Sequence, residues 1–216
     1  MAAPTTAVDI CNLALDRLGQ RTPVSSTALT APSGEIETLC ARHYDHERRW
    51  LLRRSIFNFA RKYDILEEAT DVSPVYGYSA AFYTPADCLR VLMVGNGADG
   101  EILRGLQYDI VEHYIYTNYD DDGDLSIAYV KDAQNVEEFD PLFIGLLKLR
   151  LAKAMAYKFT LKPSLLREIE EELRDEMLAA AAISGQERPP WRIESSRLKD
   201  ARRFGFRTRD NTRYPF

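Results

Sequence analysis

Residues 140–159, with the sequence DPLFIGLLKLRLAKAMAYKF, are the stretch that decides the fold. Asp140 and Pro141 are residue types that favour the N-cap and the first position of a helix. From Leu142 to Phe159, apolar residues lie on nearly every side of a helix with 3.6 residues per turn. Because such a helix must be covered all round, the stretch predicts the central helix of a helical bundle.

Three further segments have the spacing of amphipathic helices. They are predicted to begin near Thr5 or Thr6 and stop at Gly19, to run from about Ser33 to Phe59, and to run from Ser164 to about Ser184. In the second of these, six apolar residues fall roughly on one face: Ile36, Leu39, Cys40, Tyr44, Trp50 and Leu51. The opposite face is charged, and its residues are Arg42, Asp45, Glu47, Arg48 and Arg49.

Between Tyr63 and Lys131 the pattern changes to short β-prone runs separated by Gly, Pro and Asp. The predicted strands are Ala81–Tyr83, Leu89–Val94, His113–Thr117 and Leu125–Val130. The Asp-Gly step within Asp120–Asp124 predicts a hairpin loop between the last two strands. The predicted fold class is α+β: a helical bundle formed by N- and C-terminal helices, an inserted small β domain and an extended basic C-terminal arm. The corresponding domains are 1–60, 61–132, 133–185 and 186–216.

Charge is distributed unevenly along the chain. Residues 188–216 carry eight Arg and one Lys against three acids, a net charge of +6, whereas residues 1–187 carry 19 basic and 30 acidic residues, a net charge of −11. Three interpretations of this arm stay open: nucleic-acid binding through phosphates and base stacking, docking in a protein groove, and a solvated tail. Its candidate binding residues are Trp191, Arg192, Arg197, Arg202, Arg203, Phe204, Phe206, Arg207, Arg209, Arg213, Tyr214 and Phe216.

No motif indicates catalysis, a cofactor or a metal. The sequence contains no GxSxG, GxGxxG or P-loop pattern, and His43, His46 and Glu47 do not follow the HExxH order. The three cysteines have no CxxC spacing, which favours reduced core thiols. No apolar run approaches the length of about 20 residues that a membrane span needs. We therefore expect a non-enzymatic protein without a membrane segment, used on the cytosolic side.

Four pieces of sequence, in order, are similar to one family. They are residues 10–19 (ICNLALDRLG), residues 40–60 ending in FNFA, residues 83–91 (YTPADCLRV) and residues 139–143 (FDPLF). Together they resemble the tail tubular protein A family, the head-to-tail adaptors of short-tailed bacteriophages. The resemblance covers most of residues 9–183. The chain departs from the family in Phe57-Asn58-Phe59, where the usual pattern is Trp-Asn-Phe, and in a longer basic tail.

The resemblance implies a virion structural protein, made in the host cytoplasm and located in the tail at the portal vertex. It implies a ring, usually dodecameric, that joins the portal protein to the tail nozzle protein and surrounds the channel through which genomic DNA passes. On this interpretation the arm grips the portal, and the charged face of the second helix contacts neighbouring subunits. The alternative from the residues alone is a nucleic-acid-binding protein that uses its Arg- and aromatic-rich arm.

Overall fold

The structure, a computed structural model, describes residues 4–20, 24–25, 29–75, 77–96, 107–119, 124–159 and 163–187. The chain divides into two compact units, Met1–Gly185 and Gln186–Phe216. The helices within the described residues are α1 (Ala7–Arg17), α2 (Glu35–Arg54), α3 (Pro141–Phe159) and α4 (Pro163–Gln186). The strands are β1 (Arg61–Glu67), β2 (Ala80–Tyr83), β3 (Cys88–Asn96), β4 (Tyr108–Val111), β5 (Tyr114–Thr117) and β6 (Asp124–Lys131). The mixed helix-and-sheet class predicted from the sequence is confirmed.

Both ends of α1 follow from local chemistry. The Thr6 hydroxyl accepts a hydrogen bond from the Asp9 amide at 3.2 Å, and the Asp9 carboxylate accepts one from the Thr6 amide at 3.0 Å. This reciprocal pair satisfies N–H groups that the first turn leaves without helical partners, and the hydrogen bonding holds the pKa of Asp9 below its usual range. After the helix, Gly19 has a φ of 75°, which glycine tolerates without strain. The predicted start and stop are confirmed.

The second helix is shorter than predicted. It ends at Arg54, Ser55 is extended, and a 3₁₀ turn occupies Asn58–Ala60. Leaving the helix lets Phe57 and Phe59 turn inward, where their ring centroids each lie 5.1 Å from that of Phe143. Edge-to-face packing of aromatic rings adds to the gain from burial, which explains why the bulky segment leaves the helix rather than extending it.

α3 is buried in the helical core, as its apolar sequence predicted. The Asp140 carboxylate caps it by accepting from the Leu142 amide at 2.7 Å. Eight of its residues are buried: Phe143, Leu146, Leu147, Leu149, Leu151, Ala152, Met155 and Ala156. α1 and α2 pack on this helix, whereas α4 buries only Ile169, Leu173 and Ala180. α4 continues to Gln186, two residues past its predicted end near Ser184.

The strands form two antiparallel sheets within the described residues. Sheet A has the order β1-β6-β3, and sheet B has the order β2-β5-β4. β5 and β6 therefore belong to different sheets, and the predicted hairpin between them is wrong; residues 120–123 of its loop lie outside the described residues. Ile115 of β5 shares a buried cluster with Leu125 and Ile127 of β6. Stacking the two sheets buries these side chains between them, which edge-to-edge pairing of the same strands would not do.

Sheet A packs on both of its faces, and two irregularities in β3 allow that strand to contribute to both cores. Its pairing with β6 shifts register between Cys88 and Arg90 and again between Val91 and Met93. The extra residues, Leu89 and Leu92, pack against the helical core, whereas Val91 packs into the core between the sheets. Bulges that redirect side chains in this way allow one strand to serve two cores. β3 begins one residue before its predicted start and ends two residues after its predicted end.

Candidate interaction surfaces

The charged residues predicted on one face of α2 separate into two groups. Arg42, Asp45 and Arg49 are exposed, whereas Glu47 and Arg48 are only 6% and 2% exposed. Burying a charge without a partner is costly, so each buried residue must find one inside the chain. Three of the five predicted residues are thus open to contact with another molecule.

Arg48 links α2 to the segment that follows β6. Its Nη1 donates to the Asp132 carboxylate at 2.5 Å and to the Ala133 carbonyl at 2.5 Å, and its Nη2 lies 3.2 Å from the Asp45 carboxylate. With its guanidinium satisfied in this way, Arg48 stabilises the junction between helices and strands. Because the side chain is buried in these contacts, Arg48 is not an exposed part of the charged face, and its contact with a neighbouring subunit stays a prediction.

Glu47 is used within the chain in the same manner. Arg150 of α3 donates to its carboxylate through Nε at 2.8 Å and also through Nη2. The Arg150 guanidinium carbon lies 3.7 Å from the centroid of the Trp50 ring, and that of Arg54 lies 5.2 Å from the same ring. Glu47 is therefore paired within the chain, and its contact with another subunit stays a prediction too. The sequence pattern missed this network because a charged residue on a helix face is usually solvated.

An open cleft lies where the C-terminal end of α2 meets the start of β3 and the β4–β5 hairpin. Its volume is about 820 Å³, and we call it the arginine cleft. Arg53 donates through Nη1 to the carbonyl of Leu89 at 2.8 Å, and Arg90 donates through Nη1 to the carbonyl of Arg53 at 3.4 Å. Arg49 approaches Asp132 with its Nε at 3.3 Å. Because backbone carbonyls hold Arg53 and Arg90, both guanidinium groups keep their charge and further donors for an anion.

The far wall of the cleft is the β4–β5 hairpin. Glu112 and His113 form its two-residue loop, and Glu112 has a φ of 55°, in the left-handed region. Thr84 fixes the loop, since its amide and hydroxyl donate to the His113 carbonyl at 2.8 and 3.0 Å. Burial raises the pKa of the Cys88 thiol in the cleft, which favours the thiol over the thiolate. The cleft is suited to binding an anion.

Sheet B presents a line of tyrosines on the face turned away from sheet A. Ring centroids lie 6.4 Å apart for Tyr78 and Tyr116, 6.1 Å for Tyr116 and Tyr114, and 5.3 Å for Tyr114 and Tyr83. The Tyr83 hydroxyl donates to the carboxylate of Asp71, and this bond raises the pKa of Tyr83 to about 12. Sequence analysis did not identify this surface, because the four residues come together only through strand pairing.

The described residues contain neither a disulfide bond nor a group of side chains placed to bind a metal. Cys11 and Cys40 are buried, and the Cys40 sulfur lies 3.7 Å from that of Met155. A hydrogen bond to Cys40, together with burial, raises the pKa of Cys11. Within the described ranges, no three His, Cys, Asp or Glu side chains converge as metal ligands would. Among the described helices, none combines the length and apolar content that a bilayer span requires.

The candidate binding residues of the arm, from Trp191 to Phe216, lie outside the described residues. No model of a known protein family matches the chain, and no curated protein is significantly similar to it.

Proposed function

We propose that this protein is a non-enzymatic head-to-tail connector subunit. In this role, copies of the chain form a ring that joins the portal to the tail nozzle and lines the DNA channel. The observation that carries the proposal is the charge asymmetry between residues 1–187, with a net charge of −11, and residues 188–216, with a net charge of +6. The resemblance to phage adaptors supplies the virion location and suggests twelve subunits.

The finer architecture belongs to the same proposal. Helices from both ends of the chain make a bundle, the β domain is an excursion between α2 and α3, and the basic arm extends beyond α4. Support comes from the helical core, which contains Leu15 of α1, Leu51 of α2 and Leu147 of α3. Val130 of β6 belongs to that core too, so the end of the β domain is anchored to the helices.

A protein ring through which DNA passes must not bind the DNA tightly. A lining with a net negative charge repels phosphates, which favours sliding over binding. A ring assembled from subunits whose bodies carry −11 each meets this requirement. The exposed charges of α2, Arg42, Asp45 and Arg49, are candidates for contacts between subunits.

The arm is proposed to grip the portal. Arg and aromatic residues are favoured anchors of protein interfaces, because the guanidinium fork pairs with carboxylates and rings fill pockets. Co-sedimentation with portal rings from the same particle, in a high-salt buffer, tests this role. The full chain is expected to bind, and a chain that ends at Gly185 is expected not to bind. The connector role is wrong if neither form binds.

The second candidate function is nucleic-acid binding, which the arginine content of the arm favours. This function predicts that the full chain retains short duplex DNA, and that the retention weakens steeply as the salt concentration rises. Changing Arg202, Arg203, Arg207 and Arg209 to Ala would abolish that retention. In the connector role the same four substitutions weaken portal binding and leave DNA binding negligible at all salt concentrations.

A further inference from the structure

The negative charge of the body is concentrated in the β region. Residues 61–132 contain five basic and fourteen acidic residues, a net charge of −9. The arginine cleft is a cationic exception at the edge of this region. Its positively charged guanidinium groups therefore border a region of net negative charge.

The opposite end of sheet A is strongly acidic. Glu67 of β1 lies directly across from Asp124 of β6, and the next residue, Glu68, bridges to Phe82 of β2. All three acidic residues are exposed, and no ion pair within the described residues neutralises them. Like charges directly opposite each other on neighbouring strands destabilise a sheet. We call Glu67, Glu68 and Asp124 the acidic end; in the sequence, Asp120-Asp121-Asp122-Gly123 precedes Asp124.

The two charged sites cannot meet within one copy. Arg90 pairs with Val130, near the end of β6, whereas Asp124 is the first residue of that strand. Six residues of extended strand separate the two positions by about 20 Å. Sheet A is paired on both sides of β6 and is therefore a stiff spacer. The acidic end of one copy therefore cannot fill the arginine cleft of the same copy.

We propose that the arginine cleft of one copy binds the acidic end of sheet A of a second copy. Guanidinium forks of Arg53 and Arg90 pair there with carboxylates of Glu67, Glu68 and Asp124, in geometry that favours two parallel hydrogen bonds. Because the two surfaces differ, the contact is heterologous, and such contacts build rings or filaments. The inference rests on the proposed ring and specifies how its subunits meet.

A nucleic acid suits the cleft less well than an acidic protein surface does. The surrounding net charge of −9 repels a polyanion that approaches the cleft. A few carboxylates at one end of a sheet, in contrast, carry negative charge only at the point of contact with the arginines. Ile110 in the cleft wall, which is 44% exposed, also offers apolar contact to a protein partner. Electrostatic complementarity therefore favours a second copy of the chain.

Sedimentation velocity of the full chain at low salt, over a concentration series, tests the contact. We expect self-association, weakened about tenfold or more by R53E/R90E and by E67K/E68K, because each pair of changes places like charges together. Mixing the two variants should restore association, since the reversed ends are complementary. R53Q/R90Q, which removes charge and keeps side-chain donors, should have an intermediate effect. Restored association also shows that both variants are folded.

The proposal is overturned if the full chain stays monomeric at low salt, or if neither pair of changes weakens association. It is also overturned if association depends on residues 188–216 alone, as a chain ending at Glu187 would reveal, or if R53E/R90E affects only retention of duplex DNA. None of these measurements includes portal rings, so they test the contact between copies separately from portal binding. If the chain binds the portal and the charge reversals do not change its self-association, this contact alone is refuted. If self-association depends on these charges and the chain does not bind the portal, the connector role alone is refuted.

Discussion

Arg48 of α2 donates to the carboxylate of Asp132 at 2.5 Å, and thereby ties the helical core to the end of β6. Arg48 is 2% exposed, so its charge has left water almost completely. A buried ion pair contributes little compared with a well-packed apolar pair, but removing one partner leaves the other uncompensated. The pair consequently makes the folding of the helices depend on the folding of the sheet.

We expect R48M to lower the free energy of unfolding by about 3 kcal/mol, because the Ala133 carbonyl loses its donor and Asp132 keeps only the exposed Arg49 as an ion-pair partner. R42M, an exposed position on the same helix, should change it by less than about 0.5 kcal/mol. Urea unfolding followed by circular dichroism measures both. Equal effects of the two substitutions would show that the Arg48 pair does not join the helices to the sheet.

Arg150 and lysine should not be interchangeable. In R150K the ammonium group cannot make both bonds to Glu47 or stack flat on Trp50, so we expect a loss of about 1–2 kcal/mol in unfolding free energy. The matched control is K153R, at a partly exposed pair with Glu170, which should stay within about 0.5 kcal/mol. Trp fluorescence during urea unfolding follows the change. A neutral R150K would mean that a point charge is sufficient at this position.

The sequence predicted the elements whose patterns are local. The buried helix from Pro141, the cap at Thr6 and the stop at Gly19 all depend on residues a few positions apart, and all are confirmed. β1 and β4 were not predicted. All four residues of β4 are exposed, and β1 alternates charged and apolar residues irregularly, so neither strand has the periodicity of a half-buried sheet.

The candidate sites depended on contacts that the sequence does not reveal. Whether a charged residue of α2 is exposed is decided by Asp132 and Arg150, which lie more than 80 residues away. The arginine cleft likewise brings together Arg53 and Arg90 from an α-helix and a bulged strand. Helical periodicity places charges on a face, but it does not say what covers that face.

Glu37 should titrate at unusually low pH. Its carboxylate accepts hydrogen bonds from the Ser33 amide and hydroxyl and from the Ser25 amide, which lower its pKa from 4.5 to about 2. Since the folded pKa is depressed, the stabilisation is complete above pH 4.5 and is lost as the pH falls through 2. NMR titration of the carboxyl carbon measures this pKa.

S33A is the control for that titration. It removes the hydroxyl donor and leaves both amide donors, so the pKa of Glu37 should rise part of the way towards its ordinary value. A wild-type carboxyl that titrates near 4.5 would show that these bonds do not persist in solution.

Replacing Glu112 should stabilise the hairpin that bounds the arginine cleft. Its φ of 55° is unfavourable for a residue with a Cβ, so E112G is expected to raise the free energy of unfolding by about 0.5–1 kcal/mol. E112A keeps the unfavourable backbone and removes only the carboxylate, so it should not stabilise the chain. Thermal unfolding of the two variants separates the effects. Equal gains in E112G and E112A would assign the effect to charge.

The central claim is that the arm joins an acidic body to the portal. The most direct test is co-sedimentation of the full chain, and of the chain ending at Gly185, with portal rings from the same particle in high salt. The account predicts that the full chain sediments with the rings and that the truncated chain stays in the supernatant. Failure of both forms to bind, with retention of duplex DNA by the full chain at low salt, would contradict it.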